Sequence, residues 1–423
     1  MASQGQGVTA LCRRRDSCRL CGAKELDQVL SLVPTPAANA FLRADDLGGS
    51  EPVFPLDLHL CRGCGHTQLL DVVDPDYLFK DYVYVSGTSP VFVEHFRKYA
   101  EEMVRVHLGA VSGKYRPLVV DIGSNDGTLL KFFKEAGYRV IGVDPAREIA
   151  IRTAEIGVPT VVEFFKPEIA EWVKARFGPA ELVTANNVFA HVDDLGEFVE
   201  GVKVLLSPTG LFVLEVSYLG DMIEKTLFDL VYHEHLSYHA VTPLARFFHD
   251  RGLELSNVER VDTHGGSVRC FVRRIGHSRG IDDSVQRTMV EEMIAGLGTP
   301  DTFRMFGERI EGLKRRFNDL LVASPHPIVG YGAPGKSTTL LHQFGVTEKD
   351  IDFIVDDNPR KWNLYTPGTH IPILHPARLY ERDVGSVVIF AWNFADSVIE
   401  RFKPFLERGV RFIVPMPEPV VVA

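Results

Sequence analysis

At 423 residues the chain is longer than one ordinary core organises, so two or three domains are expected. An apolar fraction of 45% and a charged fraction of 24% are those of a folded globular protein. A net charge of −10 argues against a nucleic-acid partner, no apolar run reaches the roughly 18 residues of a membrane span, and the opening MASQGQGVTALCRRRD lacks a signal-peptide core, so the expectation is a cytoplasmic protein with no membrane partner.

Residues 1–16 carry no periodic pattern and are expected to form a mobile tail, with Cys12 incidental. Cys18-Arg-Leu-Cys21 and Cys61-Arg-Gly-Cys64 are two C-x-x-C knuckles separated by 39 residues. In a reducing compartment four thiolates make the closed tetrahedral set of a structural zinc site. Two disulfides, or unconnected thiols, are the competing reading. With no ligand position open to water, the metal is assigned no catalytic part, and His66 is a bystander that stands close enough to substitute. Between the knuckles, Phe54 to Leu60 is strand-like.

Residues 76–90, DYLFKDYVYVSGTSP, bring three tyrosines together, Tyr77, Tyr82 and Tyr84. If extended, the segment points Tyr82 and Tyr84 to one side. A lid over a ligand and plain packing at a junction both fit. Residues 91–110 have Phe92, Phe96, Tyr99, Met103 and Val106 at helical spacing.

The centre of the chain is organised around residues 118–144, LVVDIGSNDGTLLKFFKEAGYRVIGVD, which read as strand, glycine turn, helix, strand. Gly123, Asn125 and Gly127 permit a sharp turn and close approach of a ligand to the backbone. Asp144 lies 21 residues beyond Gly123, the spacing at which nucleotide folds keep an acid for ribose hydroxyls. The turn is D-x-G-x-x-x-G rather than G-x-G-x-x-G, and Asp121 would repel a pyrophosphate but suit a cationic ligand. It resembles motif I of the class I S-adenosylmethionine (SAM) methyltransferases; an NAD or nucleotide site is the competing reading. Strands at 159–162, 181–184 and 211–215 alternate with helices, which predicts a doubly wound, mainly parallel sheet. Asp121, Asp144, Asn187, His191 and Glu215 fall at or just past strand ends, where such sheets bind ligands. Residues 260–274 read as a strand pair around Gly265-Gly266, suited to closing the sheet edge.

Val231-Tyr-His-Glu-His-Leu-Ser-Tyr-His239 packs three histidines, two tyrosines and a glutamate into nine residues. The spacing is not H-E-x-x-H, since positions i and i+2 do not share a helix face. A neutral imidazole oriented by a neighbouring carboxylate is a general base for a weakly acidic carbon. A metal site and a purely structural cluster are the alternatives. After a helical connector over 281–323, a second α/β unit begins at Pro327, with strands at 327–330, 351–355, 387–391 and 412–415. Residues 330–337 satisfy G-x-x-x-x-G-K-S, yet Pro334 removes an amide from the phosphate cradle and too little chain remains for a full P-loop domain. The loop amides and Lys336 are expected to hold the diphosphate of a sugar nucleotide, with a structural turn and an ATP site as the other readings.

Taken together, the cysteine pairs, D-I-G-S-N-D-G, A-N-N-V-F-A-H, Y-H-E-H-L-S-Y, H-G-G-S-V-R, G-Y-G-A-P-G-K and D-D-N-P-R-K…P-G-T-H-I-P-I resemble the bacterial sugar-nucleotide C-methyltransferases that make branched deoxysugars, such as the TDP-4-keto-sugar 3-C-methyltransferases. The resemblance runs from Cys18 to the C-terminus. It implies an α/β protein with a zinc module (1–75), a Rossmann-like SAM domain (76–280) and a second Rossmann-like, sugar-nucleotide-binding domain (281–423), as a monomer or small homo-oligomer. By resemblance, Cys18, Cys21, Cys61 and Cys64 hold Zn2+, and Asp121, Gly123, Asn125, Gly127, Asp144 and Asn187 surround SAM. His235 resembles the catalytic base, with Tyr232, Glu234 and His191 beside it. A tyrosine of the Tyr82–Tyr84 stretch resembles a lid residue, and Tyr331, Lys336 and Arg360 are expected to contact a TDP-linked keto sugar. The substrate's carbon would be deprotonated next to its ketone, and the resulting enolate would take the methyl group. An O- or N-methyltransferase, a C5-methyltransferase and a non-catalytic SAM-binding protein are the other functional readings.

Overall fold

A computed structural model describes residues 11–79, 87, 90–111, 115–276 and 280–423. Tyr82 and Tyr84 lie outside the described residues. The chain opens with β1 (Cys12–Arg14), which pairs antiparallel with β5 (Asp71–Val73). Residues 11–16 are therefore not a loose tail: Arg13 and Arg15 pair with Asp193, and Arg14 pairs with Asp71 at 2.6 Å. β2 (Leu26–Thr35), β3 (Phe54–Cys61) and β4 (Thr67–Leu69) form an antiparallel sheet whose fourth strand, Ser237–Tyr238, comes from far along the chain.

The central sheet starts with β6 (Leu118–Ile122), buried at every position as a strand covered on both faces must be. It continues through β7 (Arg139–Val143), β8 (Thr160–Val161), β9 (Ala180–Asn186) and β10 (Leu206–Ser217). β11 (Ser237–Tyr238) leaves for the N-terminal sheet, and β12 (Leu253–Val261) and β13 (Ser267–Arg274) complete the order β12-β13-β10-β9-β6-β7-β8. Strands β6 to β10 are parallel, and the β12–β13 hairpin closes one edge antiparallel, as its turn glycines suggest. The chain winds outward from β6 through β7 and β8, then returns to the other side of β6 at β9. That reversal makes the crevice beyond the carboxyl ends of β6 and β9 the ligand position.

The helical connector resolves into Asp283–Ile294 and Pro300–Val322. The second buries Phe303, Phe306, Ile310, Leu313, Phe317 and Leu321 at three- and four-residue steps. Each such side chain removed from water contributes ~1.5–3 kcal/mol. The C-terminal unit is a seven-stranded sheet of β14 (Ile328–Tyr331), β15 (Ile354–Val355), β16 (Leu364–Tyr365), β17 (Pro372–Leu374), β18 (Ser386–Ile389), β19 (Arg411–Val414) and β20 (Val420–Val422), in the order β16-β17-β15-β14-β18-β19-β20. Its five inner strands are parallel and its edges antiparallel. Leu32, Leu56, Leu58 and Leu60 of the N-terminal sheet share one core with Phe303, Phe306 and the C-terminal sheet, while Leu20 joins the core of the central sheet. The small module is thus wedged against both larger units. No described helix is long and apolar enough to cross a membrane.

Candidate active site and zinc centre

One cleft of about 920 Å³ receives residues from all three units. Its first wall is the turn after β6. Gly123 has φ +70°, and a Cβ there would stand 2.2 Å from Val188 Cγ2, so only glycine fits. Asn125, also left-handed, donates its amide to Asp144 Oδ2 at 2.9 Å, and Ala146 donates to Oδ1 at 2.9 Å. Burial pushes the Asp144 carboxyl up, against those two amides. Burial also raises Asp121 to about 7, although Thr184 donates to it at 2.6 Å. Asp121, Gly123, Asn125, Asp144 and Asn187 all line the cleft. Gly127 does not; it caps the helix Thr128–Glu135 in a left-handed conformation. Glu215 is likewise withdrawn from the cleft, buried in an ion cluster with His95 at 3.0 Å and Arg269 at 3.1 Å. Burial would raise its carboxyl, but His95 and Arg269 outweigh that and hold it at about 2.

The second wall is the histidine-rich stretch. His235 donates from Nδ1 to the Leu230 carbonyl at 2.9 Å, which leaves Nε2 as the lone-pair nitrogen; that nitrogen accepts the Tyr232 hydroxyl at 2.9 Å. A backbone carbonyl and a phenol thus orient the ring, where the sequence suggested a carboxylate. Glu234 instead accepts the Asn39 side-chain amide at 2.6 Å. His191 stacks on His235 with ring centroids 5.1 Å apart. Burial drives His235 down to about 4 and His191 well below its ordinary value, so both are neutral near pH 7. His233 points away, contacting the Phe54 carbonyl at 3.2 Å, and His239 is buried against His66 and Phe189. The three histidines of the stretch do not converge, and no metal site forms among them.

The third wall is the C-terminal turn. The amide of Ala333 donates to Asp356, Gly332 to Val355, Ser337 to Pro334 and Thr338 to Gly335. Pro334 has none, and the Asn39 side chain fills the space beside Gly335. A phosphate held at this turn would therefore have the Gly335 and Lys336 amides as its backbone donors, fewer than the sequence pattern suggests. Lys336 lies buried in the cleft wall, with Nζ 3.6 Å from the Trp392 ring centroid, 3.1 Å from Asn393 Oδ1 and 3.9 Å from Asp229. Burial lowers it to about 8, against the pull of Asp229. Tyr331 lines the cleft and donates to Asp357 at 2.6 Å, with Arg401 joined to both. Arg360 is not in the lining; it pairs with Glu148 at 2.6 Å, tying the C-terminal unit to the central one.

Sequence reasoning missed His264, Asn39, Asn393 and Arg401. His264 sits in the lining at φ 53°, its ring 5.0 Å from that of Phe92. The H-G-G-S motif was a usable signal for it, since Gly266 lies against Asp221 with no room for a Cβ. Nothing in the sequence marks Asn39.

The four cysteines fit a metal: their sulfurs all lie within 4.8 Å of one another, with Cys18–Cys64 at 3.6 Å and Cys21–Cys61 at 3.5 Å. Neither pair is a disulfide; all are free thiols. The first wall fits SAM. It offers the buried side-chain amide of Asn186, without a partner among the described residues, beside the two acids and the glycine turn. A glycine turn at the switch point of a doubly wound sheet, acids after its first two strands and a closed four-cysteine site define a SAM-dependent methyltransferase with a zinc-binding domain.

Family models agree in each part: a zinc binding domain matches residues 18–79, a methyltransferase domain residues 93–258, and the C-methyltransferase C-terminal domain residues 262–417. C-methyltransferase NovU of Streptomyces niveus is 37% identical over 411 residues, 96% of this chain and 97% of that protein. The chain belongs to this C-methyltransferase family. A ubiquinone biosynthesis O-methyltransferase of Methylobacterium sp. (strain 4-46) is 36% identical over 98 residues, 22% of this chain and 38% of that protein. Among solved structures, magnesium protoporphyrin IX methyltransferase (ChlM) from Synechocystis PCC 6803 with bound SAH is 16% identical, covering 43% of this chain and 83% of that one with a TM-score of 0.33. The PH0226 protein from Pyrococcus horikoshii OT3 is 14% identical, covering 45% and 95%, with a TM-score of 0.35.

Proposed function

We propose that the protein methylates carbon on a nucleotide-linked keto-deoxysugar, at C3 of a TDP-4-keto-6-deoxyhexose, through an enolate. The observation that carries this reading is the His235–Tyr232 pair within the cleft that also holds the SAM turn. Methylation of oxygen or nitrogen uses a lone pair already present. Methylation of carbon first requires removal of a proton from a weak acid, and a neutral imidazole with a fixed lone pair is equipment for that step.

The Leu230 carbonyl holds the Nδ1 proton, so His235 offers Nε2 to the C3 hydrogen. Substrate displaces the Tyr232 hydroxyl from Nε2 and frees it to donate to the ketone oxygen. The C3–H bond breaks, its proton goes to Nε2, and its electron pair enters the enolate. In an empty site His235 is a weak base; the negative charge forming beside it raises its affinity for the proton. Lys336 supplies a buried positive charge to the enolate oxygen, where a low dielectric makes it most effective. This reading gives Lys336 to the enolate rather than to a phosphate, because the Gly332, Ala333, Ser337 and Thr338 amides of the turn are engaged within the fold and Pro334 has none. SAM supplies the electrophilic methyl group that the enolate carbon takes. Asp144 and the turn around Asn125 would orient the cofactor.

The test is incubation with methyl-labelled SAM and a TDP-4-keto-6-deoxyhexose, followed by NMR of the product. A new methyl group on C3 is the expected result. A 4-ketone also acidifies C5, so a methyl on C5 would move the site but keep the chemistry. A methyl on oxygen or nitrogen would overturn the reading.

A further inference from the structure

We propose that the buried guanidinium of Arg19, inside the first cysteine knuckle, is a positioning group that sets the spacing of the two active-site histidine loops. Arg19 stands next to Cys18 in the knuckle, and its side chain is 0% exposed. Its Nε donates to Asp193 Oδ1 at 3.0 Å, two residues after His191. Its Nη1 reaches the Leu236 carbonyl at 3.3 Å, one residue after His235, as well as Gln68 Oε1 at 3.0 Å and the Leu69 carbonyl. Arg19 also fixes its own backbone, donating from its amide to Gln68 at 3.1 Å. One rigid fork thereby touches the knuckle, β4 and both loops.

The surrounding bonds carry the same register. The Leu236 amide donates to the Ala190 carbonyl at 2.8 Å, and the Leu69 amide to the Leu236 carbonyl at 3.0 Å. β11, which begins two residues after His235, pairs with β4, and the His66 ring meets Ser237 at 3.2 Å. The His191–His235 stack therefore rests on the zinc module. A buried ion pair is a weak source of stability, and apolar packing would serve as well; what a five-donor planar fork offers is a geometry shared among three segments. Zinc, by holding the Cys18–Cys21 turn, would act on catalysis through this fork.

The inference rests on His235 as the base, and the test separates the two. Arg19→Lys keeps the charge and loses the fork. The expected result is zinc content and SAM affinity as in the parent, with kcat lower by up to about 100-fold, the cost of a misplacement of about 1 Å. The 15N resonances of the His191 and His235 rings should shift, and the acid limb of the kcat profile should move with them. The charged and titratable groups that bear on those rings are His264, His239 and Tyr232. Parent kcat and unshifted resonances overturn the proposal, as does a loss of zinc in proportion to the loss of activity. Should Arg19→Lys fail to fold, Asp193→Asn removes the other end of the contact away from the cysteines; shifted ring resonances with full zinc support the proposal, and unshifted ones overturn it. If His235→Asn retains turnover, the base assignment fails, while the resonances in Arg19→Lys still report positioning.

Discussion

His235→Asn is the most direct perturbation of this active site. The Asn side-chain amide can still donate toward the Leu230 carbonyl that now accepts from Nδ1 at 2.9 Å, so the loop keeps its anchor while the basic nitrogen is gone. Loss of a general base costs about 10²- to 10⁴-fold, which is ~3–5 kcal/mol of transition-state stabilisation. SAM affinity should survive, because His235 follows β10 whereas Asp144 follows β7 across the sheet. Substrate deprotonation can be read without methyl transfer: in deuterated water, with S-adenosylhomocysteine bound, the parent should exchange the hydrogen beside the ketone and the variant should not. Because burial holds His235 at about 4, its basic form fills the whole neutral range, and kcat/KM for the parent should stay level down to about pH 5 and then fall through 4. Turnover above about a tenth of the parent's would be too much for a missing base and would pass the role to Tyr232 or His191.

Freshly purified protein should carry about one zinc per chain, and Cys61→Ser should lose it together with activity, since β11 of the catalytic stretch lies in the module's sheet; metal analysis showing no zinc in the parent would refute this. Asp144→Ala should weaken SAM by ~1–3 kcal/mol on calorimetry, the range for a lost charged acceptor, and unchanged affinity would remove Asp144 from the site. Lys336→Ala should lower kcat by about 10²-fold with a smaller change in KM, whereas a raised KM at full kcat would return Lys336 to the phosphates. His66, His191, His233, His235, His239 and His264 are all depressed by burial, so the unfolded chain takes up protons first and stability, full above about pH 6.5, should decline as pH falls toward 4. Asp121, raised to about 7, acts with the opposite sign, as do Asp71, Asp144, Asp229 and Glu259, which burial also raises, while Glu215 and Asp193, held low by their cationic partners, act with the imidazoles. A urea midpoint unchanged between pH 8 and pH 5 would contradict this.

Local chemistry was legible in the sequence wherever the chain itself enforces it. The turn at Gly123, the acid 21 residues later and the closed set of four cysteines depend on spacing along a few residues, and each recurs in the structure as expected. The alternation of strands and helices likewise determined the central sheet, because a parallel strand must be buried on both faces and must be joined by a crossover. Long-range packing decided the rest. The G-x-x-x-x-G-K-S turn reads as a phosphate cradle with all its amides on offer, whereas in the fold Asp356 takes the Ala333 amide and Asn39 fills the space beside Gly335, 20 and 297 residues from Lys336 by their numbering. Glu215 sits at a strand end, where ligands collect, yet His95 and Arg269 claim it for a buried ion cluster. Arg360 turns to Glu148 instead of the cleft. The sequence assigns Arg19 no part, and its burial comes only from the module being wedged against the central sheet, which brings Asp193 and Leu236 around it. A hydrogen-bonding group takes whichever partner the fold brings within about 3 Å, and that choice is made by tertiary structure alone.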